Sequence, residues 1–257
     1  MSTLVDSHVH LDDAAFAADR DAVLARAHQA GVATMVVPAI DADSWPRIRT
    51  LCANHAGVHP AYGLHPMFLS HHAPAHVEAL SSWLEDNPVV AVGEIGLDFH
   101  VDGLDHELQR MYFTQQLEIA RERQLPVIVH ARDALEEVSL TLRRTGSLRG
   151  VVHSFSGSEQ QAGQLWKIGF HLGIGGPVTY PRAQRLRRIV ATMPIEFLLL
   201  ESDAPDQPDA AHRGERNEPA RIVEVLRCIA ALRGESETDI AAATTANARR
   251  LFSLGDC

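Results

Sequence analysis

The chain has 257 residues and a formal net charge of -10 at pH 7. Hydrophobic residues make up 46% of it and charged residues 22%, which excludes wholesale disorder and supplies enough apolar side chains for a sizeable core. The negative charge argues against a protein that coats nucleic acid through its own charge, although an enzyme could still act on DNA at one metal-lined site.

Short apolar runs rich in β-branched residues alternate with longer amphipathic stretches along the chain. The predicted strands are residues 4–8, 33–38, 58–64, 89–95, 127–130, 150–154, 170–173 and 197–201. The predicted helices are residues 19–30, 43–55, 75–86, 107–124, 135–145, 159–168, 183–192, 219–233 and 237–251. Eight nearly continuous apolar strands, each followed by a helix, are typical of parallel βα units. The sequence therefore predicts an α/β fold, a (β/α)8 TIM barrel that spans residues 1–257 as a single domain.

A doubly wound open sheet is the alternative fold, but no Gly-x-Gly-x-x-Gly turn follows the first predicted strand. No apolar run approaches the ~18 residues of a transmembrane helix. The N-terminal residues lack the basic and apolar regions of a secretory signal. Three widely separated cysteines, Cys52, Cys228 and Cys257, are typical of a reducing compartment. We therefore expect a cytoplasmic protein with no membrane partner.

Reactive side chains lie where the predicted strands end. In a TIM barrel the active site lies at the C-terminal ends of the strands, here called the barrel mouth. Six of the eight predicted strands finish with His, Glu or Asp, and the chain has 15 histidines. Because histidine is the commonest metal ligand, this pattern predicts a metal centre. The predicted metal ligands are His8, His10, Glu94, His130, His153 and Asp203.

The spacing of His8 and His10 places both imidazoles on one face of a strand. Two imidazoles and two carboxylates near one ion, with two further imidazoles that share one carboxylate, predict a site for two divalent ions, Mg, Mn or Zn. Related barrels often bridge such ions with a carbamylated lysine at the end of the fourth strand. Lys167 is the only lysine and lies in a predicted helix, so Glu94 is the expected bridge.

Seven motifs are found together in this chain: Asp6-Ser-His-Val-His-Leu-Asp12, Gly63-Leu-His-Pro66, Gly93-Glu-Ile-Gly-Leu-Asp98, His130-Ala-Arg132, Val152-His-Ser-Phe-Ser-Gly157, Glu201-Ser-Asp-Ala-Pro205 and Arg213-Gly-Glu-Arg-Asn-Glu-Pro219. Jointly they are specific, and from about Leu4 to Phe252 the chain resembles the TatD family of metal-dependent deoxyribonucleases, within the amidohydrolase-like barrels. The resemblance implies divalent metal ions, the same six ligands, and hydrolysis of phosphodiester bonds in DNA, often as a 3′-5′ exonuclease, by two-metal activation of a water. Ser202 stands where threonine is commoner in the family, and Phe99 where tyrosine is frequent.

Two roles in catalysis are predicted for carboxylates at the strand ends. Asp203 is the candidate general base, with a role as ligand alone as the alternative. Glu94 is the candidate bridge between the ions, with an ion-paired structural carboxylate as the alternative. The predicted partner is DNA or another phosphodiester substrate.

Four residues are predicted to contact the substrate: His65, Arg132, Arg216 and Asn217. Arginine binds phosphate through paired hydrogen bonds, and loops that follow the last strands of a TIM barrel often bind phosphate. The alternatives are a histidine held by its turn for His65, a local partner for Arg132, and an ordinary capping loop for Arg216 and Asn217.

Further acidic and glycine residues have predicted supporting roles. Asp6, Asp12 and Glu201 are expected to orient the ligating histidines. Asp98 is expected to stabilise the turn after the fourth strand. The run Gly173-Ile-Gly-Gly176 lacks the lysine and spacing of a P-loop, and is interpreted as a tight turn that lets the backbone approach the site.

Two other functions remain open from the residues alone. One is a metal-dependent hydrolase of a small amide, lactone or ester, because the same barrel supports both chemistries. The other is a non-catalytic metal-binding protein. Arg132 and Arg216 favour phosphate chemistry, since a neutral amide has no need of them.

Overall fold

The structure, a computed structural model, describes residues 3–255. Its strands in this range are β1 (Leu4–Asp6), β2 (Val32–Pro38), β3 (Val58–Tyr62), β4 (Ala91–Asp98), β5 (Val127–Arg132), β6 (Gly150–Val152), β7 (Phe170–Ile174) and β8 (Leu198–Leu200). Its α-helices are α1 (Arg20–Gln29), α2 (Trp45–Asn54), α3 (Pro74–Asp86), α4 (His106–Glu122), α5 (Leu135–Thr145), α6 (Glu159–Lys167), α7 (Gln184–Thr192), α8 (Ile222–Arg233) and α9 (Glu237–Phe252).

The strands form one sheet in sequence order, from β1 to β8. Each consecutive pair of strands is parallel. The first and last strands approach each other where Ser7 N donates to Leu200 O at 3.0 Å and Asp203 N donates to His8 O at 2.9 Å. The predicted TIM barrel is therefore confirmed, and the open-sheet alternative is wrong.

Several strand ends differ from the prediction. β1 ends at Asp6, so His8 and His10 lie in the segment that follows it. That segment keeps the pattern of an extended chain, because Val9 N donates to Val36 O of β2 at 3.1 Å and His10 N donates to Ala204 O at 2.9 Å. β4 runs past its predicted end at residue 95 to Asp98, because its last residues pair with β5.

Apolar side chains fill the barrel and close the end opposite the mouth. Seven of the eight strands each contribute one buried residue to an interior cluster. These strand residues are Val5, Val36, Ala61, Ala91, Ile128, Val151 and Leu199. Leu251 and Phe252 of α9 belong to the same cluster. Because α9 closes this end with apolar side chains, polar side chains inside the barrel are expected at the opposite end, the mouth.

Among the helices of residues 3–255, none is both long and apolar enough to cross a membrane. Cys52 and Cys228 are free thiols. Cys257 lies outside the described residues.

Candidate metal centre

Glu94 is the buried carboxylate at the centre of the mouth. Its Oε2 atom lies 3.3 Å from His8 Nε2 and 3.6 Å from His10 Nε2. Its Oε1 atom lies 2.7 Å from His153 Nε2 and 3.2 Å from His130 Nδ1. The two oxygens of one carboxylate therefore face two different pairs of imidazoles.

The first set of donor atoms comprises His8 Nε2, His10 Nε2, Glu94 Oε2 and Asp203 Oδ1. The two imidazole nitrogens are 3.2 Å apart. Asp203 Oδ1 lies 3.5 Å from the nitrogen of His8 and 3.7 Å from that of His10. Bonds of 2.0–2.1 Å in a tetrahedral zinc site place neighbouring donors about 3.3 Å apart. The spacing and the mixed N/O chemistry of this set therefore fit a divalent ion.

The second set comprises Glu94 Oε1, His130 Nδ1 and His153 Nε2. The two nitrogens are 3.1 Å apart, again the spacing of donors around one cation. The rings of His153 and His8 stack at 4.0 Å between centroids, so the two sets adjoin. Three groupings of close donor atoms in the described part of the chain could hold an ion: His8–Glu94–His153, His8–His10–Asp203 and His65–Glu94–His130.

His65 lies beside the second set, with its Nε2 atom 3.0 Å from Glu94 Oε1. Its Nδ1 atom accepts a hydrogen bond from Met67 N at 3.1 Å. Burial lowers the pKa of His65 to about 4, so the ring is neutral at pH 7 and carries its proton on Nε2. In the ion-free protein that nitrogen donates to Glu94 Oε1, and His65 also belongs to a grouping with Glu94 and His130 that could hold an ion, so its contact with the substrate stays a prediction.

The local backbone brings these side chains together through close approaches that a side chain would block. Gly96 has φ of 144°, and a Cβ there would lie 2.0 Å from His130 O. A Cβ at Gly173 would lie 1.9 Å from Glu201 Oε2. Gly173 therefore lets the backbone approach the site, as predicted, although it lies within β7 and not in a tight turn. Asp203 has φ of 54°, a left-handed conformation that is frequent among residues at functional sites.

Burial and neighbouring charges shift several pKa values. Burial opposes the charge on Glu94, yet the imidazoles of His65, His153 and His8 hold the pKa of its carboxyl well below the usual range. Burial likewise opposes the imidazolium of His153, but Glu94 above all raises the pKa of this ring to about 10. The ion-free protein thus holds a proton on His153 beside Glu94. A divalent ion that binds the second set would displace this proton.

Outer carboxylates contact two of the predicted ligands. Glu201 Oε1 accepts a hydrogen bond from Ser154 N at 2.5 Å but lies 3.9 Å from His153 Nδ1, which has no hydrogen-bond partner among the described residues, so its orienting role stays a prediction. Burial raises the pKa of Glu201 to about 8. Asp98 accepts backbone hydrogen bonds from His100 and Val101 in the predicted turn.

Asp98 has a second contact that the sequence analysis missed. Its Oδ2 atom lies 2.8 Å from His130 Nε2, and a carboxylate in this position fixes the orientation of a ligating ring. Asp98 and His130 come from adjacent strands, β4 and β5. The sequence carries no signal for this contact, because Asp98 lies beyond the predicted end of the fourth strand and only the structure extends β4 to it.

Asp6 and Asp12 contact groups other than the ligating rings. Asp6 accepts hydrogen bonds from Ser202 N at 2.9 Å, Ser202 Oγ at 2.6 Å and His8 N at 3.3 Å, so it holds backbone segments and uses the hydroxyl of Ser202. Asp12 forms an ion pair with Arg47 at 2.8 Å. Neither carboxylate orients an imidazole in this structure, because each is occupied by a nearer donor.

Gln207 is a further residue that the sequence analysis missed. Its side-chain amide donates to Asp203 Oδ2 and, at 2.7 Å, to Ser154 Oγ. This contact directs the other oxygen of Asp203 toward His8 and His10. No sequence pattern indicates it, because the loop conformation after β8 alone brings the amide back to Asp203.

Arg216 and Asn217 are not where the predicted phosphate contact requires them. Arg216 donates to both oxygens of Asp19 at 2.8 Å, to Glu218 at 3.2 Å and to Ala15 O at 2.7 Å. Asn217 is buried and donates to Ser202 O at 2.8 Å. Their hydrogen-bonding groups are engaged within the protein, and both residues hold the loop after β8 in place. This corrects the expectation for both.

Arg132 is exposed at the mouth and lines the same cavity as His130, His153 and Asp203. This cavity has a volume of about 820 Å³, and a second one has about 620 Å³. Five residues line both cavities and so lie between them: Met67, His130, His153, Asp203 and Asp206. The candidate metal centre therefore lies where the two cavities meet.

A family model described as TatD related DNase matches residues 5–253. The chain belongs to the TatD family. Its membership confirms the resemblance described above and the predicted enzyme class, a metal-dependent hydrolase.

Several TatD-family relatives match nearly the whole chain. It is 41% identical over 253 residues to the uncharacterized metal-dependent hydrolase YjjV of Escherichia coli K12, covering 97% of this chain and 98% of that one. It is 36% identical over 260 residues to the 3′-5′ ssDNA/RNA exonuclease TatD of Salmonella typhimurium, covering 98% and 99%. The crystal structure of the E. coli K12 TatD homologue YjjV superposes with a TM-score of 0.95 at 39% identity, covering 98% of each chain.

Proposed function

We propose that this TatD-family enzyme hydrolyses phosphodiester bonds in DNA as a 3′-5′ exodeoxyribonuclease, with two divalent ions held on either side of Glu94. The observation that carries the proposal is the single buried carboxylate whose two oxygens face separate pairs of imidazoles. A relative that covers the whole chain is named a 3′-5′ ssDNA/RNA exonuclease, which supports the choice of substrate.

His8, His10, Asp203 and Glu94 would hold one ion, and Glu94, His130 and His153 the other. When bound, such ions supply positive charge to the phosphoryl oxygens and make water a better nucleophile. Two dications would outweigh the negative charges of Glu94 and Asp203, and the mouth would then be electropositive. A phosphodiester can therefore approach this site although the chain as a whole carries a net charge of -10.

The chain's own residues have distinct roles in the proposed reaction. Asp203 accepts the proton of the attacking water, and Gln207 keeps the carboxylate oriented. The water oxygen bonds to phosphorus as the bond from phosphorus to the 3′ oxygen breaks, and that oxygen takes up a proton. His65 would donate a hydrogen bond from Nε2 to the substrate. Arg132 lies in the cavity where a phosphate of the substrate would bind.

The test is to incubate metal-reconstituted protein with 5′-labelled single-stranded DNA, beside p-nitrophenyl phosphodiesters, carboxylic esters and anilides. We expect a ladder of products shortened from the 3′ end and little turnover of the esters and anilides. Turnover of an ester or anilide without DNA cleavage would favour the small-molecule hydrolase. Tight metal binding without turnover of any compound would favour the non-catalytic alternative.

Two arginines should respond differently to replacement by alanine. Arg132→Ala should lower kcat/KM on DNA by about tenfold, because a charge-assisted phosphate contact is lost. Arg216→Ala should instead lower the melting temperature by roughly 2–4 °C with little change in kcat/KM, because its contacts are to Asp19, Glu218 and the backbone.

The measurements are steady-state kinetics on DNA and on bis(p-nitrophenyl) phosphate, with thermal unfolding of each variant. Equal losses on DNA and bis(p-nitrophenyl) phosphate in Arg132→Ala would place this arginine at the scissile phosphate, whereas an equal loss on a neutral ester would show that it supports the fold. A lower kcat/KM on DNA in Arg216→Ala, with an unchanged melting temperature, would instead support the phosphate contact that the sequence predicted for Arg216.

A further inference from the structure

The larger cavity extends from the metal centre to the start of α7. The charged side chains that line this cavity and not the smaller one are all arginines: Arg132, Arg182 and Arg185. We call the part of the cavity formed by these three residues the arginine lobe. They come from the end of β5 and from the segment that begins α7, so the fold brings three cations from two chain segments to one side of the site.

The charges of the arginine lobe are not neutralised within the described residues. None of the three arginines forms an ion pair with a carboxylate of residues 3–255. Arg185 donates to the backbone oxygen of Ser156 at 2.8 Å, and the guanidinium of Arg182 lies 5.4 Å from the centre of the Tyr180 ring. These contacts orient two of the cations without cancelling their charge, as in a binding site for an anion.

The smaller cavity has a different charge pattern. Outside the five shared residues, its acidic and arginine side chains are Asp12, Asp13, Arg20 and Arg47, together with Glu94 of the metal centre. Arg47 pairs with Asp12 at 2.8 Å, and Arg20 donates to the backbone oxygens of Leu11 and Asp13. Asp12 and Asp13 thus balance the charges of Arg20 and Arg47, whereas the only carboxylates of residues 3–255 that line the larger cavity are the shared Asp203 and Asp206, so the smaller cavity is less suited to an additional phosphate.

We propose that the arginine lobe binds backbone phosphates on the 5′ side of the scissile bond, and that the smaller cavity takes the uncharged 3′-terminal nucleoside. The proposal rests on the proposed function. At a 3′ end with a free hydroxyl, only a nucleoside lies beyond the scissile phosphate, whereas every nucleotide on the other side adds one negative charge. The positively charged arginine lobe therefore matches the phosphate-bearing 5′ side of the substrate, and the smaller cavity matches the uncharged 3′-terminal nucleoside.

The kinetic test compares a dinucleoside monophosphate, which has only the scissile phosphate, with a tetranucleoside triphosphate, which has two more on its 5′ side. In the holoenzyme, Arg182→Ala and Arg185→Ala should each lower the ratio of kcat/KM between the long and the short substrate by about tenfold, because one charge-assisted phosphate contact is removed. Arg188→Ala is the control, since Arg188 lies on α7 with Arg185, lines neither cavity, and forms an ion pair with Glu159 at 3.5 Å. An unchanged ratio in both lobe variants would overturn the proposal.

A binding measurement separates this proposal from the proposed function. Fluorescence anisotropy of labelled single-stranded DNA, with Asp203→Asn protein that cannot turn it over, gives Kd at several salt concentrations. The slope of log Kd against log salt should fall by about 0.7 for each phosphate contact removed by an arginine variant. A reduced slope without any hydrolysis by the unmodified protein would uphold the arginine lobe and refute the nuclease. An unchanged slope would refute the arginine lobe.

Discussion

Replacing Asp203 by asparagine should lower kcat on DNA by about a thousandfold, within the range found for general acid–base groups. Asp203 Oδ1 lies at the first set of donor atoms, 3.5 Å from His8 Nε2. An amide in the same place has nearly the same shape, but it cannot accept the proton of the attacking water and is a poorer ligand. The loss of the proton acceptor and the weaker ligation of the ion both slow the chemical step.

The fold of Asp203→Asn should remain intact. Burial raises the pKa of Asp203, so a negative charge at this position destabilises the ion-free folded protein relative to the unfolded chain. A neutral amide removes that cost, and the melting temperature of the ion-free variant should match or exceed that of the native protein. Thermal unfolding after chelation measures this directly.

Asp43→Asn is the control for kinetics, because Asp43 is exposed and lines neither cavity. It should keep kcat within about threefold of the native value, since surface substitutions away from functional features have small effects. Activity near the native level in Asp203→Asn, measured at saturating metal, would remove Asp203 from the mechanism.

The native protein should bind about two divalent ions per chain, and Glu94→Gln should bind at most one. The two oxygens of Glu94 lie at separate sets of donors, and glutamine keeps an oxygen for only one of them. Because the proposed reaction needs both ions, kcat on DNA should fall by at least about a hundredfold, as expected when a principal source of transition-state charge stabilisation is lost.

Elemental analysis after metal exchange and removal of free ions measures the stoichiometry. Glu78→Gln serves as the control, because Glu78 is exposed on α3 and should keep both ions and full activity. Saturation of the native protein at one ion, with excess metal supplied, would contradict the two-ion proposal. Two ions retained in Glu94→Gln would contradict the bridging role alone.

The barrel and the position of its site were determined by the sequence itself. Alternation of apolar strands with amphipathic helices is a local pattern, and it predicts parallel βα units wherever the exact boundaries lie. Such a barrel places all strand ends at one mouth. The six predicted ligands therefore lie together in the structure, although they are spread from His8 to Asp203 and two of them follow β1 instead of belonging to it.

Only the tertiary structure decided which side chains around the ligands meet. Asp98 and His130 are 32 residues apart, and Arg216 and Asp19 are 197 residues apart. Whether a polar group turns toward the mouth or toward another loop depends on loop conformations and on competing donors, neither of which has a periodic signal in the sequence. For the same reason the arginine lobe is recognised only in the structure, where residues from the end of β5 and from the segment that begins α7 line one cavity.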